Sequence, residues 1–90
     1  MNNERRKELT KIVDRIDALK SELETLRDDI DSLQGEERDG FENLPESFQQ
    51  GYKGQAMEAA ADAMQEAYDA IDAAASSADE AIEAINRASE

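Results

Sequence analysis

The most abundant residues in this chain with side chains able to do chemistry are its carboxylates. Of 90 residues, 23 are Asp or Glu, with no His or Cys to serve as general base, thiolate nucleophile or soft metal ligand. Neighbouring carboxylates do acid–base work only where burial or a like charge separates their pKa values. Glu58, Asp62, Glu66, Asp69, Asp72, Asp79 and Glu83 instead fall on the outward positions of a seven-residue repeat, in water. A calcium loop fails narrowly: Asp29 and Asp31 are spaced correctly, but Leu33 takes the next ligand position and Gly35 comes one residue late. A di-metal carboxylate bundle needs an inward Glu with His three residues on, and there is no His. The glycines match neither a phosphate-binding loop nor a dinucleotide fingerprint. No catalytic, cofactor-binding or metal-ligating residue is assigned, and the chain is expected not to be an enzyme.

The same acids carry a second kind of chemistry, recognition by charge. Formal net charge is −13, which argues against nucleic acid or an anionic membrane as a direct partner. Like charges recur at i, i+4 in the pairs 58/62, 62/66 and 79/83. Each such pair costs a helix about 0.2–0.5 kcal/mol. Such a stripe either keeps an alanine-rich helix soluble or recognises something basic. Full mimicry of duplex DNA fails on density, since DNA carries one charge per about 1.7 Å of axis. The acids from Glu58 to Glu90 are spaced roughly threefold more widely along a helix. No apolar run is long enough to span a bilayer, and the start, MNNERRKEL, has no apolar signal region. A single soluble domain in the cytoplasm is the expectation.

Two heptad helices must position these acids. Leu9, Ile12, Ile16, Leu19, Leu23, Leu26, Ile30 and Leu33 alternate gaps of three and four without error. This places Leu9, Ile16, Leu23 and Ile30 at position a and the other four at d, a stripe that another helix must cover. The first helix is read as residues 3–34, with Asn3 as N-cap, Glu4 in the first turn and Gly35 as a left-handed stop. Residues 35–54 form a linker holding all four glycines and the only proline, with a short helical turn from about Pro45. Phe41 and Phe48 lie there, either to plug the open end of a hairpin or to form an exposed docking patch. The second helix is read as 55–88, with Met57, Met64, Ile71, Ala78 and Ile85 at one heptad position. Ala60, Ala67, Ala74, Ala81 and Ala88 follow three residues after each. Flanking rows are Ala61, Tyr68, Ala75 and Ile82 on one side and Ala56, Ala63, Ala70 and Ala84 on the other. Ser76-Ser77 before Glu80 resembles a capping box, but the register runs through it, favouring one continuous helix.

Charge orients the pair. Residues 1–20 carry six bases and four acids, +2, whereas residues 55–90 carry one base and nine acids, −8. An antiparallel hairpin sets Arg5, Arg6, Lys7 and Lys11 beside Asp79, Glu80, Glu83 and Glu90. A parallel self-pair of the first helix would instead oppose Arg15 to Lys20 and match only Glu22 with Arg27. The apolar stripe of the second helix is wider than one partner helix can cover. The expected architecture is therefore all-α: an antiparallel two-helix coiled-coil hairpin that dimerises into a four-helix bundle. Its oligomer seam is assigned to Leu9, Ile16, Leu23, Ile30, Met57, Met64, Ile71 and Ile85.

The linker run Phe41-Glu42-Asn43-Leu44-Pro45-Glu46, then Gln49, Gln50 and Gly51, sits between a leucine heptad and an alanine- and acid-rich helix. With both helices, it resembles a group of short acidic uncharacterised coiled-coil proteins of bacteriophages and prophages. The likeness covers most of the chain, and its F-x-N-x-P-E core is the more specific part. It implies a viral or prophage origin and a bacterial cytoplasmic setting, and it carries no catalytic residues. Small acidic phage proteins often act by occupying a host or defence protein, an association that favours a binding role. The expected function is a non-enzymatic interaction protein that binds and inhibits a host protein through a basic surface. Its contacts would be the outward acids of the second helix together with Phe41 and Phe48. One alternative is a self-assembling structural or scaffolding piece. The other is a small-ligand sponge for anions or nucleotides formed by the oligomer, with Arg38, Tyr52 and Lys53 as contacts.

Overall fold

A computed structural model describes residues 1–90 as three helices: α1 (Asn3–Glu42), α2 (Glu46–Gln49) and α3 (Tyr52–Ala88). α1 and α3 lie antiparallel as a rod measuring 68 × 14 × 13 Å between Cα extremes. The chain is thus an all-α helical hairpin. Cross-helix contacts step down it in order, from Arg6 with Ser89 through Lys20 with Asp79 and Arg27 with Asp72 to Arg38 with Asp62.

Both long helices are longer than their sequence signals imply. α1 is capped by Asn2 rather than Asn3, the Arg5 amide donating to Asn2 Oδ1 at 2.8 Å. At the other end it passes through Gly35 and Gly40 and stops at Glu42. Neither glycine has a positive φ, so neither forms the left-handed stop expected at Gly35. A helical glycine costs only about 1 kcal/mol, and continuing the helix brings Arg38 and Phe41 against α3. What does end α1 is Pro45, which lacks an amide proton and restricts Leu44 before it. The linker shrinks from 35–54 to the residues between Glu42 and Tyr52, with α2 inside it. The linker packs closely on the first turn of α3, where a Cβ on Gly54 would overlap the Gln49 backbone. α3 begins at Tyr52 rather than 55 and runs through Ser76 and Ser77 without a break.

The heptad register holds on both helices, but the seam is turned by one row. On α1 the half-buried positions are Leu9, Ile16, Leu23 and Ile30 at a, with Val13, Lys20 and Arg27 at e and Gln34 buried beside them. On α3 the matching positions are Met57, Met64, Ile71, Ala78 and Ile85 at a, with Ala61, Tyr68, Ala75 and Ile82 at e. Residues expected to form the oligomer seam therefore face one another within a single chain. The d row of α1 is left outside: Ile12 is 41% exposed, Leu19 57%, Leu26 42% and Leu33 54%. Side-chain chemistry accounts for the turn. The bulky residues of α3 sit at a and e, whereas its d row is all alanine. The e row of α1 carries cations whose stems lie on that bulk while their heads reach acids beyond it. Even so, only Gln34, Gly54, Ala61 and Ala75 are buried, and no large side chain is fully enclosed.

Candidate interaction surfaces

The hairpin has two long sides of opposite character. In an antiparallel pair of right-handed helices sharing an a/e seam, position d of both helices projects to one side and position b to the other. The b side is the ionic one. Lys20 Nζ lies 2.7 Å from Asp79 Oδ1, Arg27 Nη1 2.8 Å from Asp72 Oδ1, and Arg38 Nη2 3.4 Å from Asp62 Oδ1. The hydrogen bond that Lys20 donates to Asp79 holds its ammonium above its ordinary pKa. Asp72, then Asp28, does the same for the Arg27 guanidinium. Arg27 also sits 6.0 Å from the centre of the Tyr68 ring, at the limit of a cation–π contact.

These pairs correct the expected charge pattern in two ways. Asp62, Asp72 and Asp79 keep half or more of their side chains exposed, but each is paired with a cation of α1. Asp79 is met by Lys20, not by the bases of the first turns, among which Arg6 donates to the Ser89 carbonyl at 3.0 Å and Lys11 pairs with Glu8. Of the remaining acids, Asp69 accepts from Gln65 Nε2 at 2.9 Å, while Glu58, Glu66 and Glu83 are exposed with no cation beside them.

One polar cluster had no sequence signal. Gln34 is 6% exposed toward the linker end of the seam and meets Gln65 across it. With its amide nitrogen donating to Gln65 Oε1 at 3.0 Å, its oxygen accepts from Arg38 Nε at 3.2 Å and Nη2 at 3.1 Å. Arg38 thus ties the glutamine pair to Asp62. A glutamine inside a heptad reads as an ordinary polar flank; only its partner on α3 makes it a register pin.

At the linker end Arg38, Phe41, Glu42, Met57, Glu58 and Ala61 line an open pocket of about 180 Å³. Phe41 is half-buried there, whereas Phe48 on α2 is 57% exposed. Tyr52, 89% exposed, and Lys53 lie outside the pocket. With Glu42 and Glu58 on its wall and Arg38 held by Asp62, it is unfavourable ground for an anion. No three acids converge closely enough to hold a metal ion.

The d rows carry no charge, although Arg15 of the row bordering them on α1 lines the same groove as Ile12, Ile16 and Leu19. The d side presents Ile12, Leu19, Leu26 and Leu33 beside Ala60, Ala67, Ala74, Ala81 and Ala88, with the further row Ala56, Ala63, Ala70, Ser77 and Ala84 next to them. Apart from Ala67 these residues are exposed. No helix is long and apolar enough to cross a membrane. Comparison with known protein families, curated proteins and solved structures finds no match to the chain.

Proposed function

We propose that the chain is a non-enzymatic interaction protein, an acidic homodimeric hairpin that binds and blocks a basic surface on another protein. The observation that carries this reading is the segregation of the rod into a side whose d rows carry no charge and a charged remainder in which acids outnumber bases, 23 to 10 over the chain. Covering the d side with a second copy, as a four-helix bundle, leaves acids as the principal face toward water. A net charge of −13 per chain then speeds encounter with a basic protein and repels acidic ones. The linker's likeness to short phage and prophage proteins supports a bacterial cytoplasmic host as the setting and a host protein, such as a defence factor, as the target. A self-assembling structural role is the second reading, favoured by the exposed leucine row.

The test is capture from bacterial lysate with stepwise salt elution, repeated with Glu58→Gln, Glu66→Gln and Glu83→Gln combined. These acids are free of intramolecular ion pairs, so their neutralisation leaves the hairpin intact. One stoichiometric partner, released at moderate salt and lost in the variant, is the expected result. A partner that binds the variant equally well would show that these acids do not recognise it.

A further inference from the structure

We propose that the d side is the docking face for a second copy of this chain, with α1 of each copy lying over α3 of the other. Self-association as such belongs to the proposal above; the face and the arrangement are new, and neither depends on the basic partner.

Area gives the first argument. A compact monomer of 10.0 kDa exposes about 5,200 Å², whereas the hairpin exposes 6415 Å². The excess, roughly 1,200 Å², exceeds the ~800 Å² per partner that a standard stable interface removes.

Charge and shape single out the second copy as the occupant. The d rows hold no charged residue in a chain that is 37% charged, so two copies at −13 each can approach closely only here. The register set by Lys20 with Asp79 and Arg27 with Asp72 puts Ile12, Leu19, Leu26 and Leu33 level with Ala88, Ala81, Ala74 and Ala67. Every rung thus pairs one large residue with one small one. A two-fold axis parallel to the rod sets the large row of each copy on the small row of the other at the same level, closing four layers by an isologous contact.

The rim chooses between this arrangement and its rival. If α1 lay antiparallel on its own copy, the bordering row would bring Glu8 to Glu36 and Glu22 to itself, with only Arg15 and Asp29 matched. With α1 over α3, that row meets Ala56, Ala63, Ala70, Ser77 and Ala84 instead, and no like charges oppose.

The full chain is tested by light scattering and sedimentation velocity, without any partner. The expected mass is twice 10.0 kDa. Ala74→Lys with Ala81→Lys keeps good helix formers, lies outside the hairpin seam and lowers the net negative charge. It is expected to weaken the dimer at least a hundredfold with helicity retained, while Glu66→Lys, away from this face, leaves it unchanged. The chain has no cysteine, so a spin label at Gln50→Cys reports the arrangement. Parallel two-fold symmetry puts the labels within roughly 20 Å; antiparallel stacking separates them by nearly the 68 Å length of the rod. A monomeric wild type overturns self-association, and open-ended assemblies overturn the closed dimer. An undiminished lysine variant overturns the face, and distant labels overturn the arrangement.

Discussion

The side chains that decide how this hairpin closes are polar ones within an apolar seam. Gln34 contributes little raw stability, since a neutral hydrogen bond is worth about 1 kcal/mol net. Its value lies in having one good partner: a shift of α1 along α3 would bury it without Gln65. Gln34→Ala should lower stability by about 1–2 kcal/mol in urea unfolding, because Gln65 and Arg38 lose their acceptor or donor together. Gln34→Leu with Gln65→Leu should be neutral or stabilising, since both partners become apolar at once. If the single and double variants lost the same stability, the pair would not be coupled. Lys20 gives a complementary prediction in pH. Its hydrogen bond to Asp79 raises its folded-state pKa, so its contribution is fully present below the ordinary lysine pKa. That contribution disappears as pH rises through the raised, folded-state value. The difference in melting temperature between wild type and Lys20→Met should therefore stay flat from neutral to mildly alkaline pH and close only as the ammonium titrates. A difference that closed near neutrality would mean that Lys20 acts otherwise than through its charge.

At the scale of elements, the helices and their antiparallel pairing are legible in the residue pattern, but the facing rows are not. Leu9 through Leu33 read as an a/d stripe because those positions are apolar, and that reading is right about which residues are greasy. It misses that Lys20, Arg27 and Gln34 at e have partners at Asp79, Asp72 and Gln65, a fact that belongs to the pair of helices and to neither alone. The seam is decided by α3, whose bulk lies at a and e. The end of α1 departs from its sequence signal for a similar reason: Gly35 is a common stop, but nothing at Gly35 itself requires the left-handed conformation. The glycines now separate by environment. A Cβ on Gly35 meets nothing within 4 Å, so Gly35→Ala should stabilise α1 by up to about 1 kcal/mol. A Cβ on Gly54 would run into the backbone of Gln49, so Gly54→Ala should destabilise the hairpin and displace the linker. Thermal melts of the two variants should move in opposite directions; a shared direction would mean that the linker is not packed on α3 at Gly54.

Taken as a whole, the rod has too little interior to account for its own order. Fully burying a leucine or isoleucine is worth about 1.5–3 kcal/mol, and four such residues on α1 remain about half exposed. The missing stabilisation is of the order of a small domain's entire net stability. It becomes available only when something covers the d side, so association should add to the stability that the intramolecular seam supplies. Stability must then depend on protein concentration, since mass action favours the folded dimer over unfolded chains. Circular dichroism melts over a hundredfold range of concentration should show the midpoint rising steadily with concentration. Ala74→Lys with Ala81→Lys should melt lower, with a midpoint independent of concentration, because it retains only the intramolecular seam. If the wild-type midpoint were also independent of concentration, the a/e seam with its ion pairs and glutamine pin would have to hold the hairpin alone. The exposed leucine row would then be free to meet a different protein, and the acidic side would no longer be the principal face on offer.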